Sequence, residues 1–168
     1  EQVSVHAGGA DGDGFERPLY LARRRAAQAL RGVEDFYVVR LSARSLGYKG
    51  MVLPQHLSRL FPDLRRADLA ARAVVFHQRF STNTQPRWPL APPFRRLAHN
   101  GEINSIEGNR RWAQARRGVW RSKLLDMTEF ESPVSMRGSD SQTLDDMLDW
   151  LLEGGMDLLQ AVRVLMAP

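Results

Sequence analysis

Apolar residues recur along this chain in two rhythms. From residue 16 to about 30, Leu19, Ala22, Ala26, Ala29 and Leu30 return every three or four positions, a narrow stripe that predicts an amphipathic helix. Residues 35–42 (DFYVVRLS) are dense in aromatic and β-branched side chains and predict a strand. Residues 44–53 predict a second strand, with Gly47 and Gly50 marking a bend or a close approach. Pro54 suits the first turn of a short helix reaching about Phe61. Residues 71–80 (ARAVVFHQRF) predict a buried strand on composition. Pro86, Pro89, Pro92 and Pro93 make residues 81–93 a rigid irregular loop. A short strand over 95–99 and an Asn100-Gly101 turn follow. Residues 103–117 then read as a helix interrupted by Gly108, and 124–138 as mostly irregular chain.

The clearest element opens at Ser139. It is an N-cap with Gln142 three residues on, the spacing of a capping box. Leu144, Met147, Leu148, Leu151 and Leu152 share one face of the helix that follows, and Gly154-Gly155 ends it. Residues 156–166 predict a last helix. The glycine-rich stretch 7–14 reads as a linker, so residues 1–14 are expected to form a flexible loop. It does not match a phosphate-cradling loop, because no Lys-Ser/Thr follows. The 168 residues suffice for one domain or most of one.

Composition narrows the function classes. No apolar run of about 18 residues predicts a membrane span, and no secretory leader is visible. The expectation is therefore a cytoplasmic protein without a membrane partner. Residue 1 is Glu, which reads as a start inside a longer protein. There are no cysteines, so the chain offers no disulfide, thiolate metal site or thiol nucleophile. The basic residues are 22 Arg and only 2 Lys. Residues 1–122 carry a net +11 and residues 123–168 a net −6. A basic front half raises the question of nucleic acid. The arginines are scattered through apolar segments, however, and form no stripe, so a solvated face plus bound carboxylates is the simpler reading.

Three short segments place polar residues beside apolar ones in patterns that can carry chemistry. Arg79-Phe80-Ser81-Thr82 ends an apolar strand, where a guanidinium can grip a ligand carboxylate or close an internal ion pair. His99-Asn100-Gly101-Glu102 sets an Asn amide beside a glycine N–H, the donor pair of an oxyanion hole, although Asn-Gly is also an ordinary turn. Gly138-Ser139-Asp140-Ser141 opens a helix with a carboxylate that can receive an ammonium group or simply cap. His77 and His99 show no metal-ligand spacing; His99 can serve in acid–base work, and a hydrogen-bonded structural histidine is its plainer role. Trp88, Trp112, Trp120 and Trp150 read as packing residues.

Taken together, residues 76–112 (FHQRFSTNTQPRWPLAPPFRRLAHNGEINSIEGNRRW) resemble the N-terminal glutamine amidotransferase domain of glutamate synthase large chains. The likeness continues upstream through FERPLYLARRR, DFYVVRLS and YKGMVLP, and downstream through GSDSQTLDDMLDWLLEGGMDLLQAVRVLMAP. It makes residues 1–168 part of a single class II amidotransferase domain. The resemblance implies an α+β fold of the N-terminal-nucleophile type, an αββα four-layer sandwich whose first strands lie in a missing N-terminal piece. It implies hydrolysis of glutamine to glutamate and ammonia, which reductively aminates 2-oxoglutarate. FMN and an iron–sulfur cluster are expected in other domains, with no cofactor in this segment. The implied partners are glutamine and the remaining glutamate synthase domains; a small reductase subunit stays open.

Residue by residue, the resemblance gives Arg79 the glutamine α-carboxylate, with Ser81 and Thr82 shaping that pocket. Asn100 and Gly101 would donate to the tetrahedral oxyanion, and Asp140 would pair with the α-ammonium, with Gly138 nearby as part of the same substrate-binding turn. Two residues depart from the family's pattern: Pro92 stands in place of glutamine, and Arg96 in place of an aromatic or apolar residue. The family's nucleophile is an N-terminal cysteine, and this chain has none. The chain alone is therefore expected to lack glutaminase activity, and a non-catalytic glutamine-binding or interaction module with a vestigial pocket is the alternative.

Overall fold

The computed structural model describes residues 8–9, 12–79 and 85–166. Its elements are α1 (Gly12–Ala29), α2 (Leu57–Leu60), α3 (Ile106–Ala115), α4 (Asp140–Glu153) and α5 (Leu158–Leu165), with short 3₁₀ turns at Pro54–His56, Pro62–Arg65 and Trp88–Leu90. The core lies around α4. Met147, Leu148, Trp150 and Leu151 pack with Tyr20 of α1, Ala161 of α5, and Leu125, Met127, Phe130 and Val134 from the irregular chain before α4. Each large apolar side chain fully buried there contributes about 1.5–3 kcal/mol. Trp150 is wholly buried and meets Phe130 edge-on at 6.5 Å.

The expected helices form with ends shifted by up to four residues, and α3 runs through Gly108 without the expected interruption. Ser139 caps α4, its hydroxyl accepting from the Gln142 N–H at 3.1 Å. Gly154 ends the helix, and Gly155 follows with φ +99°, a left-handed conformation that favours glycine. Helix α1 begins at Gly12, so residues 12–14 belong to a helix and not to the expected loop. Residues 1–7, 10 and 11 lie outside the described residues.

The buried faces differ from the apolar stripes. On α1 the buried residues are Glu16, Leu19, Tyr20 and Arg23, one turn after another, while Ala22, Ala29 and Leu30 are not buried. Helix α4 is enclosed on nearly every side, including Asp145, Asp146, Asp149 and Glu153. A short apolar stripe cannot foretell this, because the charged residues are buried by partners distant in sequence. Arg23 bonds Asp149 at 2.5 Å; Arg96 bonds Asp149 and Glu153, both at 2.6 Å. Arg95 lies 3.3 Å from Asp146. The basic front half thus closes on the acidic back half. The arginines at the centre of the protein are internal ion-pair partners, which answers the nucleic-acid question for them. Arg96, one of the two departures from the family's pattern, is among these partners.

No strand ladder forms among the described residues. Segments 35–42, 44–53, 71–79 and 95–99, read as strands from composition, are not paired into a sheet. Residues 71–79 are also not buried: Val74, Val75 and Phe76 are 75%, 58% and 79% exposed. β-Branched and aromatic residues suit a pleated surface, but only a hydrogen-bonded neighbour makes a strand of them. Of the tryptophans, Trp112 is exposed and carries Arg116 over its ring at 5.1 Å, so it is not a packing residue here.

Lys49 joins the second extended segment to the proline loop. Its ammonium donates to the Pro89 carbonyl at 2.8 Å and lies 4.4 Å from the ring centre of Tyr37 and 4.9 Å from that of Phe94. Burial, seconded by the nearby Arg95 charge and opposed by Asp145, pulls its pKa from 10.5 down to about 7. Between those values the unfolded chain binds the proton that the folded chain releases. Folding stability should therefore rise with pH from about 7 toward 10. Urea midpoints measured across that interval should climb in the wild type and stay flatter in Lys49→Met; equal slopes would contradict the buried-lysine assignment.

Candidate functional site

Chemistry-bearing residues converge at the N-terminus of α4. Asp140 is its first residue. One carboxylate oxygen accepts from the Ile103 N–H at 2.8 Å. The other accepts from the N–H and hydroxyl of Ser141, at 2.6 and 3.1 Å. Two carboxylate oxygens offer about four lone-pair sites, so room remains for a ligand donor. His99 Nδ1 meets the Ser141 hydroxyl at 2.8 Å. Segment 99–103, with Asn100 and Gly101 exposed at its turn, is thereby docked on the start of α4 from both sides.

The turn before α4 is held from beneath. Buried Arg110 of α3 donates to the Gly138 carbonyl at 2.5 Å, the Ser139 carbonyl at 3.2 Å and the Thr143 hydroxyl at 2.8 Å. The Gly138 N–H donates to the Ser135 hydroxyl at 3.0 Å. A Cβ at Gly138 would collide with the Gln142 carboxamide oxygen, so a side chain there would have to displace the end of Gln142.

Asp145, one turn into α4 and wholly buried, fixes the approach to segment 99–103. Its carboxylate accepts the N–H groups of Arg95, Arg96 and Leu97 at 3.0, 2.6 and 3.2 Å. The short strand expected over 95–99 is therefore a clamped irregular segment: three of its backbone donors are satisfied by one side chain. Burial pushes the Asp145 carboxyl above the ordinary range, against the pull of those N–H groups and of Arg95. Burial also opposes the charge on Asp149, but Arg23 and Arg96 outweigh it and hold that carboxyl below its usual value. Arg110 and Asp145 escape sequence reading as site residues. The available signal is the acidic spacing Asp145, Asp149, Glu153 along one side of a helix, facing the Arg95-Arg96 pair.

The structure brings Asn100, Gly101, Gly138 and Asp140 together. No hydrogen bond or ion pair among the described residues joins Arg79 to that group. Arg79 is exposed, and its backbone N–H donates to His77 Nδ1 at 3.1 Å. Ser81 and Thr82 lie outside the described residues. No group of three or more His, Asp or Glu residues among those described is arranged to hold a metal ion. None of the described helices is long and apolar enough to cross a membrane.

Residues 1–168 match the family model of the class-II glutamine amidotransferases. Among similar proteins is the Glutamate synthase (NADPH) large chain of Azospirillum brasilense, 40% identical over 160 residues, which are 92% of this chain and 11% of that protein. Ferredoxin-dependent glutamate synthase 2 of Synechocystis sp. is 40% identical over 163 residues, 94% of this chain and 10% of that one. Glutamate synthase (NADH) of Schizosaccharomyces pombe is 37% identical over 161 residues, 94% of this chain and 8% of the other. The chain thus spans about a tenth of the length of the curated relatives it matches. The family model covers every residue, and the chain belongs to the class-II glutamine amidotransferases.

Proposed function

We propose that this chain forms the glutamine-binding and oxyanion-stabilising part of the glutaminase domain of a glutamate synthase. The full-length protein hydrolyses glutamine to glutamate and ammonia, and the ammonia serves reductive amination of 2-oxoglutarate. The observation that carries this reading is the docking of the Asn100-Gly101 turn on the carboxylate of Asp140 through the Ile103 N–H at 2.8 Å. A glutamine zwitterion needs one anion for its ammonium, one cation for its carboxylate and donors for its side-chain oxygen. Asp140 supplies the first and Arg79 the second, with Ser81 and Thr82 around it. The Asn100 amide and the Gly101 N–H supply the third.

As a nucleophile adds to the amide carbon, the carbonyl oxygen gains negative charge. Donors fixed where that charge develops stabilise the transition state more than the substrate. Collapse of the tetrahedral species then expels ammonia. The nucleophile in this reading is the cysteine at the start of the mature polypeptide, outside residues 1–168, so this chain alone turns over no glutamine. The chain has no cysteine thiolate to hold an iron–sulfur cluster. That cluster and FMN belong to other domains in this reading, as does any contact with a small reductase subunit. The exposed Val74, Val75 and Phe76 support the αββα sandwich, since a sheet layer from the rest of the domain would cover them. A cytoplasmic location completes the reading.

Arg79 provides the test of substrate binding. In the full-length protein, Arg79→Ala should raise the KM for glutamine about 10–100-fold, the worth of a hydrogen bond to a charged group, with a smaller change in kcat. Steady-state glutaminase assays decide this. A normal KM would remove Arg79 from the α-carboxylate.

A further inference from the structure

We infer that His99 and Ser141 are positioning residues that lock the oxyanion donors onto the ammonium-binding carboxylate. The inference rests on the glutaminase reading above and adds to it a relay that couples the two halves of the site.

The Ser141 hydroxyl lies 3.1 Å from Asp140 Oδ1 and 2.8 Å from His99 Nδ1. Asp140 can only accept, and we take the hydroxyl proton to point to it, the direction in which the relay reaches the carboxylate. The serine oxygen is then left to accept from His99, which places the imidazole proton on Nδ1. The resulting chain runs from His99 through Ser141 to Asp140, each donor committed. Such chains polarise one another and resist rearrangement. The other face of the imidazole abuts the turn: a methyl group built on Gly101 would stand 2.7 Å from His99 Nε2. The ring therefore fills the space under Gly101 and fixes the N–H of that residue relative to Asp140. Asn100 lies between the two anchored residues.

This arrangement predicts which kinetic constant moves. Asp140 keeps two backbone donors without the relay, Ile103 N–H and Ser141 N–H at 2.8 and 2.6 Å. Its hold on the substrate ammonium should survive. The Asn100-Gly101 turn loses the tether on its His99 flank, so transition-state stabilisation should fall. A misplacement of about 1 Å costs on the order of 10²-fold in rate.

The test uses the full-length protein and steady-state glutamine hydrolysis. His99→Ala and Ser141→Ala should each lower kcat about 10–100-fold while KM stays within about threefold. The double variant should be no worse than either single one, because both break one chain. His99→Asn should recover much of the rate, since its amide can donate to Ser141 from the Nδ1 position. Ser141→Ala removes a single hydroxyl and serves if His99→Ala misfolds. An unchanged kcat in both single variants, additive losses in the double variant, or a KM effect alone would overturn the inference. Asn100→Ala distinguishes the layers: if it too leaves the rate intact, the glutaminase site itself is misplaced, whereas an impaired Asn100→Ala beside intact His99 variants refutes only the relay.

Discussion

Asn100→Ala in the full-length protein is expected to lower glutamine hydrolysis by about 10²–10³-fold, the usual cost of one oxyanion donor. The loss should fall on kcat and kcat/KM together, because the donor acts where charge develops and not on the ground-state amide. The position of Asn100 carries the expectation. It is exposed on a turn whose two flanks are bonded to the first residues of α4, His99 to Ser141 and Ile103 to Asp140. The side chain can meet a ligand while the backbone on either side is held. Because a neutral amide is removed, the pH dependence of the residual rate should not change. A wild-type rate in this variant would remove Asn100 from the oxyanion role, and a raised KM at unchanged kcat would make it a ground-state contact.

The largest stability effect is expected at Asp145. This carboxylate is wholly buried and satisfies three backbone N–H groups while lying 3.8 Å from Arg95 Nη1. Asp145→Ala takes the shared acceptor away from all of these donors. Removing one partner from such a buried set costs about 3–5 kcal/mol. Hydrogen exchange reads it locally. Amide protection at Arg95, Arg96 and Leu97 in the full-length protein should drop on the order of 10²–10³-fold, since each 1.4 kcal/mol is tenfold. Asp145→Asn keeps one acceptor oxygen and should fall between the two. Protection at 95–97 unchanged in Asp145→Ala would mean that the carboxylate does not hold this segment.

The helices and the acidic end of the site are legible in the sequence, and the absence of a sheet among the described residues is not. Ser139, Gln142 and Gly154 mark the bounds of α4 through local bonds, and local rules find local bonds. The Asn100-Gly101 turn and Asp140 stand out separately, on residue type and on resemblance. Their meeting depends on Ile103 and Ser141, which no spacing rule connects across about forty positions. The α1 stripe misleads because Glu16 and Arg23 are buried by polar contacts: Arg23 by Asp149, and Glu16 by the Ser42 hydroxyl at 2.9 Å and the Ala43 N–H at 2.5 Å. Hydrophobic periodicity cannot see burial of that kind. Residues 71–79 have strand composition without a strand, because pairing belongs to two segments and composition to one. The departure at Arg96 becomes intelligible through its bonds to Asp149 and Glu153. The one at Pro92 has no structural explanation.

The measurement closest to the central claim is a crystal structure of the full-length protein with L-glutamate, the stable product of the proposed hydrolysis. The α-ammonium should lie within about 3 Å of Asp140, and the γ-carboxylate should receive the Asn100 amide and the Gly101 N–H at the same distance, with Arg79 on the α-carboxylate. Glutamate bound elsewhere, with Asp140 and the Asn100-Gly101 turn bare, would contradict it.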